Sequence, residues 1–256
     1  MTVSVAKNKT ELKKRMQRFF SVDSPRKEAV EMLSPLLDKG DVLAFGGVVR
    51  DIALYGVKSF SSDLDLIFVG SRDHFLNELQ KKGIKNKFGG YRLKVGGWDI
   101  DIWHIQDTWA FKHRKATYKN ELSLLETTIM SWDSVLYSLS KKRVYCHKGY
   151  FDDLSKGYLD LVLFDNPNKF GAMIRIMRCF VLKEATVFSP KIIEFLNQNL
   201  CNHSIDEILD SEKKSYHDTY LNRDICLYIA NVISENEGSF LPAYLQRYNT
   251  TMDMFS

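Results

Sequence analysis

The sequence is short of cysteine and proline, has no long apolar run, and leans little to either sign of charge. Five prolines and 14 glycines in 256 residues exclude collagen-like and Pro-rich classes. No apolar run approaches the roughly 20 residues of a membrane span. The N-terminus, MTVSVAKNKTELKKRMQRFF, has no apolar core of signal-peptide length, so secretion is not expected. The four cysteines, Cys146, Cys179, Cys201 and Cys226, are widely spaced with no CxxC pair, and read as reduced thiols in a cytoplasmic protein. Lys plus Arg is 36 against 32 for Asp plus Glu, a net charge of +4. That permits an anionic partner without demanding one, and a duplex-coating protein would be more basic. What is present is globular: 45% hydrophobic and 27% charged residues, enough for one large domain or two small ones with a sizeable core.

Along the chain, residues 7–18 are basic and carry Leu12 and Met16 at helical spacing, which reads as a solvated helical arm that can touch a polyanion. Ser24-Pro25 signals the start of a helix over SPRKEAVEMLSPLLDKG, closed by Gly40, with a kink or break expected at Pro35. VLAF (42–45) is a short buried strand, Gly46-Gly47 breaks it, and VVRDIALYG reads as a helix ending at Gly56. SSDLDLIFVG is a second strand, with Leu64, Leu66 and Phe68 on one face and Asp63 and Asp65 on the other. RDHFLNELQKKG is an amphipathic helix, and YRLKVGGWDIDIWHI gives a hairpin turning at Gly96-Gly97. After about residue 150 the patterns are helical, with a hinge expected at Asn166-Pro167-Asn168. Alternating strands and helices, then a hairpin, then helices, predict an α/β head with a mixed sheet followed by an all-helical tail, α+β overall.

The strongest local signal is Asp63-Leu64-Asp65 on an otherwise apolar strand. Two carboxylates two residues apart on a strand face the same way, and like charges so placed repel unless a cation joins them. Mg²⁺ prefers carboxylate and phosphate oxygens, so a strand-borne Asp-x-Asp makes half of a two-metal site. WDIDIW supplies a second pair, Asp99 and Asp101. Gly46-Gly47 lies between a strand and a helix start, where backbone N–H groups can meet phosphate oxygens. Arg50 lies one turn on and can add a charge-assisted phosphate contact, with Asp51 orienting it or binding a hydroxyl.

Taken together, AFGGVVRDIALYGVKSFSSDLDLIF resembles the head-domain signature of the DNA polymerase beta nucleotidyltransferase superfamily, in the version of class II CCA-adding enzymes and bacterial poly(A) polymerases. Gly46, Gly47, Arg50, Asp51, Gly56, Asp63 and Asp65 match it. The resemblance implies that the glycines hold an NTP's triphosphate and that Asp63 and Asp65 hold two Mg²⁺ ions, with Mn²⁺ as an alternative. Ile100-Asp101-Ile102 best fits the strand of the third carboxylate, with Asp99 as second choice. TTIMSW (127–132) falls at the RRDFTIN-like motif, but Leu124-Leu125-Glu126 precede it and the two arginines are missing. Arg175 and Arg178 match the R-x-L-R arginines of the neck helix, and Val181 stands where a third is usual. The base-reading EDxxR motif is not visible. The resemblance runs over residues 40–200 and implies the head chemistry without the CCA specificity.

The expected organisation is a basic arm (1–23), a nucleotidyltransferase head (24–165) and a helical neck and tail (166–256). The expected activity is metal-dependent transfer of NMP from an NTP to a hydroxyl, with an RNA 3′ end as the favoured acceptor. A protein or small molecule such as an aminoglycoside is the alternative acceptor, and a non-catalytic nucleotide- or RNA-binding head is the alternative function. Lys112 and Arg114 in the basic run 112–115 are candidate contacts to triphosphate or acceptor, as are Arg175 and Arg178. Trp109, Phe111 and Tyr118 read first as core and second as base-stacking groups. His104 has no partner at zinc-ligand spacing.

Overall fold

Period-two alternation in the first half of the chain builds a mixed sheet, as a computed structural model covering residues 4–21, 26–60, 62–86 and 89–235 shows. The expected Ser24-Pro25 helix start lies outside the described residues, as do Tyr244 and Tyr248 near the C-terminus. The chain divides into two compact units, 1–128 with 132–152, and 129–131 with 153–256.

The first unit opens with α1 (Lys9–Ser21) and α2 (Arg26–Leu37). Helix α1 is not a detached arm. Leu12, Met16 and Phe19 are fully buried, and the Arg15 guanidinium donates to the carbonyls of Ser4, Ile52 and Ala53 and to Glu11. Lys9, Lys13, Lys14 and Arg18 remain exposed along it, and Lys7 just before it. Helix α2 runs through Pro35 and stops two residues later, without the break expected there. Gly40 does not close that helix; it starts β1 (Gly40–Phe45), where a Cβ would stand 2.4 Å from the Val69 carbonyl oxygen of the neighbouring strand.

The elements that follow are α3 (Gly47–Tyr55), β2 (Leu64–Gly70), α4 (Arg72–Leu79), β3 (Ile84–Lys85), β4 (Tyr91–Val95), β5 (Trp98–His104) and the short α5 (Trp109–Lys112). Strands β6 (Val135–Ser138) and β7 (Arg143–Cys146) and helix α6 (Tyr150–Ser155) complete them. Among the described residues one seven-stranded sheet has the order β3-β4-β5-β2-β1-β6-β7. Only β2 and β5 run parallel; every other neighbouring pair is antiparallel. Leu64, Leu66, Phe68, Ile100 and Ile102 line one face of the sheet and are fully buried. The opposite face carries a smaller core of Leu43, Ile67 and Leu136 under Ile105 and Leu124. That second core stops short of one end of β2 and β5, and there the face turns acidic.

The second unit holds β8 (Tyr158–Leu159), α7 (Lys169–Lys183), β9 (Val187–Phe188), α8 (Pro190–Leu200), α9 (Ile205–Ser215) and α10 (Arg223–Glu235), with β8 and β9 parallel. Caps explain the helix starts. Asn168 accepts from the Gly171 N–H, Ser189 from Ile192, and Ser204 forms a capping box with Glu207. Asn166-Pro167-Asn168 therefore leads into α7 as its cap. Met173, Ile176, Met177, Phe180, Phe195 and Leu196 form the fully or almost fully buried interior of this unit. The fold is α+β, a mixed-sheet head followed by helices.

Candidate functional site

The parallel pairing of β2 and β5 sets the site. Its register places Asp65 opposite Asp101, with Leu64 opposite Ile100 and Leu66 opposite Ile102. Side chains at paired positions project from the same face, and Asp63 lies two residues before Asp65 on that face. Asp63, Asp65 and Asp101 thus share one end of one sheet face. They differ in exposure: Asp63 is exposed, Asp65 half-buried and Asp101 only 7% exposed. Asp99, two residues before Asp101 on β5, lies on the same face nearer the hairpin turn, with the Lys94 ammonium 3.5 Å from its carboxylate.

The hairpin adds a residue the sequence reading passed over. Gly96 and Gly97 have φ of 55° and 82°, a two-residue turn that pairs Val95 with Trp98, Lys94 with Asp99 and Arg92 with Asp101. Arg92 Nε donates to Asp101 Oδ1 at 3.0 Å and Nη2 donates to Asp101 Oδ2, a two-pronged clasp. The same Nη2 reaches Asp63 Oδ2 at 3.4 Å. Hydrogen bonds to Asp101, then its charge and that of Asp63, raise the Arg92 pKa further above its ordinary value, so the group is a fixed cation. Beside it opens a pocket of about 740 Å³ whose walls combine apolar Ile84 and Trp103 with Lys82, Lys85, Arg92 and Asp101.

Strand β1 ends next to this cluster, with Ala44 paired to Leu66, so the Gly46-Gly47 turn leaves the sheet beside the start of β2. Gly46 has φ 63° and ψ −121°, a conformation that favours glycine. Its N–H donates to the Val135 carbonyl, and its carbonyl accepts the Arg50 N–H at 3.0 Å to begin α3. A Cβ on Gly47 would meet only the Arg50 guanidinium, at 3.6 Å, which is ordinary contact. The chain's own packing therefore does not demand glycine at position 47, whereas a ligand lying against the α3 N-terminus would.

Arg50 is 8% exposed and is taken up internally. Its Nε donates to Asp51 Oδ1 at 2.8 Å and its Nη2 to Asp51 Oδ2 at 3.1 Å, while Nη1 donates to Asp133, itself 6% exposed. Asp133 was not among the expected site residues, and nothing in its local sequence marks it. The remaining candidates lie on other elements. Lys112 and Arg114 are exposed around the end of α5, Arg114 at φ 55°. In the second unit Arg175 is exposed on α7, whereas Arg178 donates to the fully buried Glu212 and to the Asp218 carbonyl and lies over the Tyr216 ring at 3.9 Å. His104 is buried, its Nε2 3.0 Å from the Gly70 carbonyl oxygen. Trp109 stacks on His113, and Phe111 packs edge-on against Tyr118.

Hard carboxylate oxygens on one face suit a divalent cation. As they stand, however, among the described residues no three acidic, histidine or cysteine side chains close around a position that can hold a metal ion. The guanidinium of Arg92 is the cation between Asp63 and Asp101.

No protein-family model matches the sequence, and no curated protein matches it significantly. The fold does have counterparts. A CCA-adding enzyme solved with CTP superposes at a TM-score of 0.58 and 16% identity, over 91% of this chain and 56% of that one. The apo form II of a CCA-adding enzyme gives a TM-score of 0.54 at 15% identity, over 86% of this chain and 55% of that one. A tRNA-processing enzyme in an apo form gives 0.52 at 15% identity, over 80% and 57%. The chain thus spans a little over half the length of these proteins. At such identity the likeness establishes the fold alone: a mixed-sheet head followed by helices, arranged as in these enzymes.

Proposed function

We propose that a chain with this head fold and this acidic face is a nucleotidyltransferase, moving NMP from an NTP to an acceptor hydroxyl with release of pyrophosphate. The observation that carries the reading is the β2–β5 register, which sets Asp65 opposite Asp101 with Asp63 on the same face. Asp63, Asp65 and Asp101 are the residues that would hold Mg²⁺, which when bound supplies an activated hydroxyl and a neutralised leaving group. Gly46 and Gly47 at the α3 N-terminus would receive the triphosphate through backbone N–H groups. Buried Arg50, tied to Asp51 and Asp133, acts by holding the turn in place rather than by reaching out to phosphate. Positioning and electrostatics carry most of the rate in this type of transfer.

The favoured acceptor is an RNA 3′ end. Supporting it are the exposed lysines of α1 and the nature of the structural neighbours, a CCA-adding and a tRNA-processing enzyme. One observation favours a second reading, a nucleotide-binding head without catalysis: Arg92 occupies the place between the carboxylates. Incubation with each α-labelled NTP, Mg²⁺ and total RNA separates the readings. Label in RNA supports the first. Retention of an NTP with no label in RNA, in the protein or in a small molecule supports the second.

A further inference from the structure

We infer that Arg92 is a built-in competitor for the cation position, clasping Asp63 and Asp101 until a metal ion drives its guanidinium out into the open pocket beside it. The inference rests on the nucleotidyltransferase reading and adds to it a residue that controls loading of the site.

Three observations carry it. The clasp is two-pronged on Asp101 and extends to Asp63, so a single side chain satisfies two of the three carboxylates a metal would need. Its position follows from backbone register: Arg92 pairs with Asp101 across the β4–β5 hairpin, and Asp101 pairs with Asp65 across β2–β5. The guanidinium is therefore delivered to the acidic face by the sheet, not by a chance surface rotamer. Third, the side chain has somewhere to go. It is about half exposed, 47%, and lines the open pocket of about 740 Å³.

Each carboxylate oxygen keeps a second lone pair, but a guanidinium held between Asp63 and Asp101 repels a second cation from that position and fixes the two carboxylates in the geometry of the clasp, so a metal ion that bridges them must displace it. Divalent metal alone then pays for breaking charge-assisted hydrogen bonds before it gains its own. An NTP–metal complex brings negative phosphates as well, and these offer Arg92, Lys82 and Lys85 a new partner on the pocket side. Loading of metal is thereby tied to arrival of the nucleotide, and the free enzyme is held out of its metal-bound form.

The test is calorimetric titration of Mn²⁺ alone, without nucleotide, into full-length wild type, Arg92→Met, Arg92→Lys and the pair Arg92→Met with Asp101→Asn. Circular dichroism and thermal melts check that each is folded. Losing the clasp should tighten Mn²⁺ binding about tenfold in Arg92→Met, the scale of one or two charge-assisted hydrogen bonds at a half-exposed site. Arg92→Lys, which cannot clasp with two prongs, should fall between, and Asp101→Asn should remove the gain. If wild type binds Mn²⁺ through Asp101 and both Arg92 variants bind no more tightly, the competitor role is overturned while the nucleotidyltransferase reading stands. If neither wild type nor either Arg92 variant binds Mn²⁺ in an Asp101-dependent way, the competitor role falls as well, and the nucleotidyltransferase reading is then decided separately by whether labelled NMP is transferred with NTP and metal both present.

Discussion

Burial decides which of the four thiols can react. Cys201 is exposed at the end of α8, while Cys146, Cys179 and Cys226 are buried. Burial pushes the thiols of Cys146 and Cys226 up to about 11, where almost no thiolate forms near neutrality. Iodoacetamide at pH 8 should therefore add once to the native protein, at Cys201, and four times after unfolding. Peptide mass spectrometry reads the stoichiometry, and rapid native labelling of Cys146 would contradict the fold at β7. At the same scale, parts of the site were legible and parts were not. The Asp-x-Asp pairs and the glycine turn announce themselves because a fold has little use for adjacent like charges or for Gly46 without a turn. Arg92 was within reach too, since counting back from Gly96-Gly97 pairs it with Asp101. Asp133 was not, because its partnership with Arg50 joins positions 83 residues apart.

Elements with strong periodicity and caps were legible from sequence: α3, β2, the β4–β5 hairpin, α7, α8 and α9. Strands β6 and β7 were passed over, being four residues each and lying between irregular segments. The parallel pairing of β2 with β5 was equally hidden, since α4, β3 and β4 intervene and only the folded sheet sets that register. Helix α1 was misjudged as solvated because its apolar stripe is narrow, and its burial depends on partners far along the chain. Arg178 on α7 matched a family arginine but is committed to holding α9. Its guanidinium faces the fully buried Glu212, which also accepts the Tyr220 and Leu221 N–H groups at 3.2 and 3.0 Å. Removing one member of a buried ion pair strands the other charge, at a cost of about 3–5 kcal/mol. Arg178→Ala should therefore lower the urea midpoint by far more than Arg175→Ala, whose side chain starts on the exposed face. Equal midpoints for the two variants would remove Arg178 from its structural role.

For the whole molecule, charge distribution says more than net charge. A surplus of +4 is small, but Lys9, Lys13, Lys14 and Arg18 stand exposed on one helix, with Lys7 exposed just before it. If that face takes part in RNA binding, affinity should fall steeply with salt as counterions are released, and Lys13→Glu with Lys14→Glu should weaken RNA binding and reduce the salt slope. NTP affinity should be unchanged. Arg15 belongs to a different class despite its sequence neighbourhood: its guanidinium is spent on the Ser4, Ile52 and Ala53 carbonyls, so reversing it would disturb the fold. An RNA affinity that stays flat from low to high salt would move the acceptor to a protein or a small molecule.

The central claim is that Asp63, Asp65 and Asp101 form the transfer centre, and initial rates of α-labelled NMP transfer by single variants test it most directly. Asp63→Ala, Asp65→Ala and Asp101→Asn should each lose on the order of a thousandfold in kcat, the scale of a lost electrostatic group at a reacting centre. Asp99→Asn, whose carboxylate turns to Lys94, should stay near wild type. Near-wild-type transfer by Asp101→Asn, with a dead Asp99→Asn, would contradict the assignment of the third carboxylate. Full turnover by all of the variants would contradict the transfer centre itself.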